Sequence, residues 1–118
     1  VTIIITKEEI LMALDQVKEP DDIMFNLLNS HNIPINSKGY YYITWLIKKA
    51  SRQETYVLKY KDYELCAAAF NSTATSVERA LRYAFGQSDL ENKRSLVALY
   101  FLTREYVSQK EGMDNESN

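Results

Sequence analysis

The stretch Tyr63–Phe85, YELCAAAFNSTATSVERALRYAF, decides how this chain is read. It divides into an Ala-rich run through Cys66, Ala67, Ala68, Ala69 and Phe70, a polar turn at Asn71-Ser72-Thr73, and a second amphipathic run. Asn71 falls where such a turn usually needs Gly, and Asn is the non-Gly residue that best tolerates a left-handed backbone. Thr73 is placed to cap the next helix by accepting from an N–H of its first turn. Val77, Ala80, Leu81 and Ala84 then recur at helical spacing as one apolar stripe. The small Ala67 and Ala80 allow two helices to cross closely. The opposite face carries Thr75, Glu78, Arg79, Arg82 and Tyr83. Helix, turn and helix at this spacing match a DNA-binding helix-turn-helix, although an Ala-rich hairpin packed in any all-α core gives a similar string.

Working outward, the flanking sequence also reads as helices. Val1–Thr6 is a short β-branched arm or linker remnant. Thr6 caps a helix through Val17, with Glu9 completing a capping-box pattern and Ile10, Leu11, Leu14 and Val17 as its apolar face. Pro20-Asp21-Asp22 restarts the chain as a second helix with acids in its first turn, its core residues being Ile23, Phe25 or Met24, Leu27 and Leu28. Asn29–Asn36 is a polar turn broken by Pro34. A long helix follows from Asn36 or Ser37 to about Arg52, with Tyr40, Ile43, Leu46, Ile47 and Ala50 inward and Lys48, Lys49 and Arg52 as a basic end. Tyr56-Val57-Leu58 is a candidate for a further short helix. Beyond the central pair, Gly86 is expected to close its helix with a positive φ. Asp89 is expected to cap a last helix whose stripe is Leu96, Val97, Leu99, Tyr100, Leu102 and Val107. Glu111–Asn118 reads as a disordered tail. The expectation is an all-α, compact bundle of about six helices, with an effector-like domain over 7–110.

Composition fits one domain of 118 residues, 46 % hydrophobic and 25 % charged. Three Gly and two Pro favour helices with short connections over a loop-rich fold. No apolar run approaches the roughly 20 residues needed to cross a bilayer, and the first residues lack the basic flank of a signal peptide. The lone Cys66 excludes an intrachain disulfide and fits a reducing cytoplasm; on an apolar Ala-rich face it reads as a small buried residue. The formal net charge is −2, unevenly spread. Residues 1–31 carry two basic and six acidic side chains, residues 32–110 twelve basic and seven acidic, and the tail three acids. The segment holding the central pair is thus net +5, and DNA needs a local positive footprint rather than a basic whole chain.

Two blocks resemble a known family, the C-terminal effector domain of the sporulation master response regulator (stage 0 sporulation protein A) of endospore-forming bacteria. Ile33-Pro34 followed by Ser37-Lys38-Gly39-Tyr40-Tyr41-Tyr42 is similar to the family's "VP…IKGYLYL". Phe70 through Ala84, FNSTATSVERALRYA, is similar to "YNTTASRVERAIRHA", and Tyr63 and Ala67 match the ends of "YPDIA". The resemblance runs from about Asp22 to Leu90 and more loosely through the last helix. It implies the family's fold and double-stranded DNA as partner, with a homodimer on DNA and a receiver domain or related regulator as further partners. Glu78, Arg79 and Arg82 are kept. Ser76 stands where the family has a guanine-reading Arg, Tyr83 replaces a His, and the connection after Asp89 is shorter.

The residues expected to meet DNA are therefore Lys61, Thr73, Thr75, Ser76, Glu78, Arg79, Arg82 and Tyr83. Lys61 lies just before the first helix of the pair, where phosphates approach. Arg79 and Arg82 suit phosphates or guanine edges, and Glu78 suits a cytosine amino group. Enzyme chemistry has no assembled acid, base and nucleophile. His31, the only histidine, has no neighbour at ligand spacing, so neither metal nor cofactor is expected. The competing reading is a protein-interaction module of the same fold that has lost DNA reading and acts on a related regulator. A helical oligomerisation domain, suggested by the nine tyrosines, is the third.

Overall fold

A computed structural model of the chain describes residues 21–116, and over them the fold is all-helical. Five helices follow one another: α1 Asp22–Ser30, α2 Lys38–Ser51, α3 Tyr60–Ala69, α4 Ala74–Gly86 and α5 Ser95–Glu116. The arm at 1–6 and the helix expected through Val17 lie outside the described residues. The central element is α2, which touches α3, α4 and α5. Its sequence explains this position, because Gly39, Tyr40, Tyr42, Ile43, Thr44, Trp45, Leu46, Ile47 and Ala50 are all buried. A helix apolar almost all round has to lie inside.

Polar side chains start three of the helices, at Thr73 as the sequence predicts. Asp21, Ser37 and Thr73 cap α1, α2 and α4 by accepting from the N–H of Met24, Tyr40 and Ser76. Two helices end on Asn in the left-handed region, Asn32 at φ 64° and Asn71 at φ 54°. After Asn32, Ile33 N–H donates to Leu28 O at 2.9 Å; after Asn71, Ser72 N–H donates to Ala67 O at 2.7 Å. Both bonds close the helix end by satisfying a carbonyl that would otherwise be orphaned. A chain with so little Gly uses Asn for this work.

Several local expectations are corrected. Gly86 has no positive φ; α4 ends instead where Ser88 Oγ donates to Phe85 O at 2.8 Å and accepts from Leu90 N–H at 3.0 Å. Asp89 does not cap the last helix, which begins only at Ser95; its carboxylate faces His31 at 2.7 Å. Tyr56-Val57-Leu58 stays out of a helix, with Tyr56 at φ 60°. In α1 the inward residue is Met24, while Phe25 is exposed. In α5 the buried stripe is Ala98, Leu99, Leu102, Thr103 and Tyr106, and Val97 faces solvent. Thr103 fits because its hydroxyl donates to Leu99 O, one turn back, at 2.7 Å. The helix also runs on to Glu116, into the stretch expected as a tail.

Asp21 links three elements. Its carboxylate accepts from Met24 N–H and from the Tyr106 hydroxyl at 2.6 Å, and lies 3.5 Å from Lys48 Nζ. Burial alone would raise its pKa, but these partners together hold it below the usual carboxylate value. Its stabilising contribution is therefore present at neutral pH and lost on acidification through that lowered value.

Candidate nucleic-acid interface

The interface is built on α4, because the sequence of that helix separates two faces. Val77, Leu81, Ala84 and Phe85 are buried against the core. Thr75, Ser76, Arg79, Arg82 and Tyr83 are exposed, Tyr83 at 67 %. Glu78 is half-buried at the edge between the faces. The turn before α4 fixes where this face points. Asn71 reverses the chain, and Thr73 Oγ1 accepts from Ser76 N–H at 3.1 Å while donating to Ser76 Oγ at 2.9 Å. Thr73 and Ser76 thus form a small hydroxyl pair at the start of the outward face.

Charge on this face is modest but free to act. Arg82 and Glu78, one turn apart, approach only to 3.9 Å, and with Arg82 largely solvated their attraction is weak and screened. Arg79 has no ion-pair partner among the described residues, which suits a group held for an external anion. Lys61 is exposed as expected, yet it sits inside the first turn of α3 rather than before it. The reason is Asp62, which accepts from Lys59 N–H at 2.7 Å and so starts the helix earlier.

The same Asp62 corrects the expected basic end of α2. Lys49 Nζ lies 3.2 Å from Asp62 Oδ1, and Lys48 is taken up by Asp21. Both lysines neutralise acids within the fold, where they pin α3 and α1 to α2. Two cations not expected at the interface share a groove with α4. Lys93 and Arg94, just before α5, line a groove of about 720 Å³ with Tyr60, Tyr63, Glu78, Arg82 and Glu91. Nothing local marks them, because only the folding of the connection brings them beside Arg82. Tyr63 forms the groove's inner wall, its phenol pushed up to about 12 mainly by burial.

Cys66 is fully buried, and desolvation raises its thiol well above the ordinary range, so it is inert packing. No group of three or more His, Cys, Asp or Glu among the described residues could hold a metal ion. No described helix is long and apolar enough to cross a membrane.

In comparison with known families, the family model for the sporulation initiation factor Spo0A C terminal matches residues 24–117, which include α2 to α5 whole and nearly all of α1. No curated protein and no solved structure matches the chain.

Proposed function

The chain belongs to the family of the sporulation initiation factor Spo0A C-terminal domain, a DNA-binding transcription-regulator domain, and from that premise we propose that α3 and α4 act as a helix-turn-helix that reads double-stranded DNA with altered base specificity. The observation that carries this reading is the division of α4 into a buried stripe and a continuous polar face with an unpaired Arg79. In such a docking α4 enters the major groove with its N-terminal residues toward the base edges. Arg79 and Arg82 take guanine edges or phosphates, Glu78 accepts from a cytosine amino group, and Thr73, Thr75 and Ser76 make short contacts at the helix start. Lys61 and Tyr83 approach the backbone on either side. A homodimer on DNA, a receiver domain or related regulator as partner, and a cytoplasmic location complete the proposal.

The test is selection from a randomised duplex library at low and moderate salt. An enriched motif supports the reading, and affinity should fall with salt at a log–log slope of about −0.9 per phosphate neutralised. Absence of retention on any duplex would favour the protein-interaction module instead. Arg79→Ala should weaken binding to the selected site by about 1–3 kcal/mol if Arg79 makes a two-pronged base contact. Its circular dichroism and melting should match the parent, because the side chain is exposed and unpaired; loss of fold in this variant would assign Arg79 to structure.

Ser76 carries the altered specificity. A Ser side chain is too short to span the groove and make the paired contact that Arg makes to guanine. Thr73 accepts from the backbone N–H of residue 76, so Ser76→Arg keeps the cap and loses only the hydroxyl pair. This variant should fold normally and gain about 1–3 kcal/mol of preference for G·C at the base pair the family reads with Arg. Competition between a duplex selected from the library with G·C at that pair and the same duplex with the pair changed measures it for both proteins. Strong discrimination by the parent at that pair would show that Ser76 is not at the reading position.

A further inference from the structure

Three charged side chains remote in sequence meet at the end of α1. His31 Nδ1 lies 2.7 Å from Asp89 Oδ1, and His31 Nε2 lies 3.1 Å from Glu105 Oε2. His31 is the C-cap residue of α1, Asp89 belongs to the connection between α4 and α5, and Glu105 comes from the middle of α5. A neutral imidazole has one N–H to donate, and an ionised carboxylate only accepts. Both contacts are therefore satisfied together only by the imidazolium, which donates from both nitrogens. A helix C-terminus is also where a cation is favoured.

We propose that His31 is a pH-operated clasp: as the imidazolium it ties the α4–α5 connection and α5 to the end of α1, and on losing its proton it releases one of the two tethers. The proton leaves from one ring nitrogen to solvent, and the lone pair that remains there faces a carboxylate and repels it. The Asp89 tether holds the connection that brings Lys93 and Arg94 into the groove that Arg82 also lines, so the clasp fixes the flank of the outward face of α4 while both tethers are made.

The electrostatics around the ring agree with this geometry. The imidazole side chain is only 14 % exposed, and its burial by itself would lower the pKa. Hydrogen bonds and charge from Asp89 and Glu105, the two charged groups that act on it, more than offset burial and raise it. A raised folded-state pKa makes the stabilisation fully present below the unfolded value of about 6.5, and it is lost as pH rises through the folded value. Because Asp89 and Glu105 are about half exposed, the clasp is also weakened by salt.

Since the chain has one histidine, its ring C–H resonances report this titration directly. The midpoint for the folded protein at low salt should lie above that of the same chain in concentrated urea. Asp89→Asn and Glu105→Gln should each move it down, and amide protection in residues 88–94 or in α5 around Glu105 should fall once pH passes it. His31→Gln should lose the pH dependence of Tm around neutrality. A folded-state midpoint at or below the urea value, or one unmoved by both carboxylate substitutions, would overturn the proposal. None of these readouts involves DNA, so their outcome is independent of the functional reading above.

Discussion

Val77→Asp is expected to unfold the domain, while Thr75→Asp, on the opposite side of the same helix, should keep the fold and lose duplex binding. Val77 is 0 % exposed and sits in the stripe that seats α4 on the core. Replacing it forfeits about 1.5–3 kcal/mol of apolar burial. An uncompensated buried charge adds roughly 3–5 kcal/mol. Together these approach the whole stability of a typical domain, about 5–15 kcal/mol. Thr75 is exposed in the first turn of α4, where a carboxylate is favourable to the helix dipole by about 0.3–1 kcal/mol. The same charge aimed at a phosphate backbone should weaken binding by at least about tenfold, since like charges brought together at an interface are strongly unfavourable. Thermal melts followed by circular dichroism and duplex titrations by fluorescence anisotropy separate the two effects. A folded Val77→Asp variant, or a Thr75→Asp variant that binds as the parent does, would mean that the faces of α4 are assigned wrongly.

The second large effect is expected at Gly39, where α2 crosses α4. A Cβ built there would stand 2.7 Å from Ala84 Cβ and 3.0 Å from the Ala80 carbonyl oxygen. Neither neighbour is the movable tip of a long side chain, so the helices themselves have to separate. Gly39→Ala should cost about 1–3 kcal/mol through overpacking even though Ala is the better helix former. Gly39→Val should cost more, because its branch adds bulk at the same crossing. Gly86 is the internal control: it has open space around it, and Gly86→Ala should leave Tm unchanged or slightly raised. Shortening the partner should also help, so Gly39→Ala with Ala84→Gly is expected to recover part of the lost Tm. If Gly39→Ala is as stable as the parent, the close crossing is not present in solution.

These two sites differ in how visible they are beforehand. The faces of α4 follow from the spacing of Val77, Leu81 and Ala84, and the Asn71–Thr73 turn follows from residue types whose backbone preferences are local. Gly39 is visible only as a residue of a matching motif; its role as the contact point of two helices is not written in its neighbours. Small size at Ala80 matters at this crossing too, where its carbonyl oxygen faces Gly39.

The sequence by itself determined what depends on short range: the all-helical character of the described residues, the cap residues Ser37 and Thr73, the left-handed Asn71, the outward face of α4 and the family to which the chain belongs. The caps and the left-handed Asn71 are signalled within about one helical turn, and the face of α4 and the family blocks by continuous runs of sequence, so the residues that cause them are near one another in the chain. Tertiary structure alone decided which charges act outward and which are used within the fold. Lys48 and Lys49 read as a basic end until Asp21 and Asp62 arrive from other elements, Asp89 reads as a helix cap until His31 meets it, and Lys93 and Arg94 acquire a place beside Arg82 only through the connection that carries them. A charge has no fixed partner along the chain, and its energy depends on distance and burial, both of which exist only once the helices are packed.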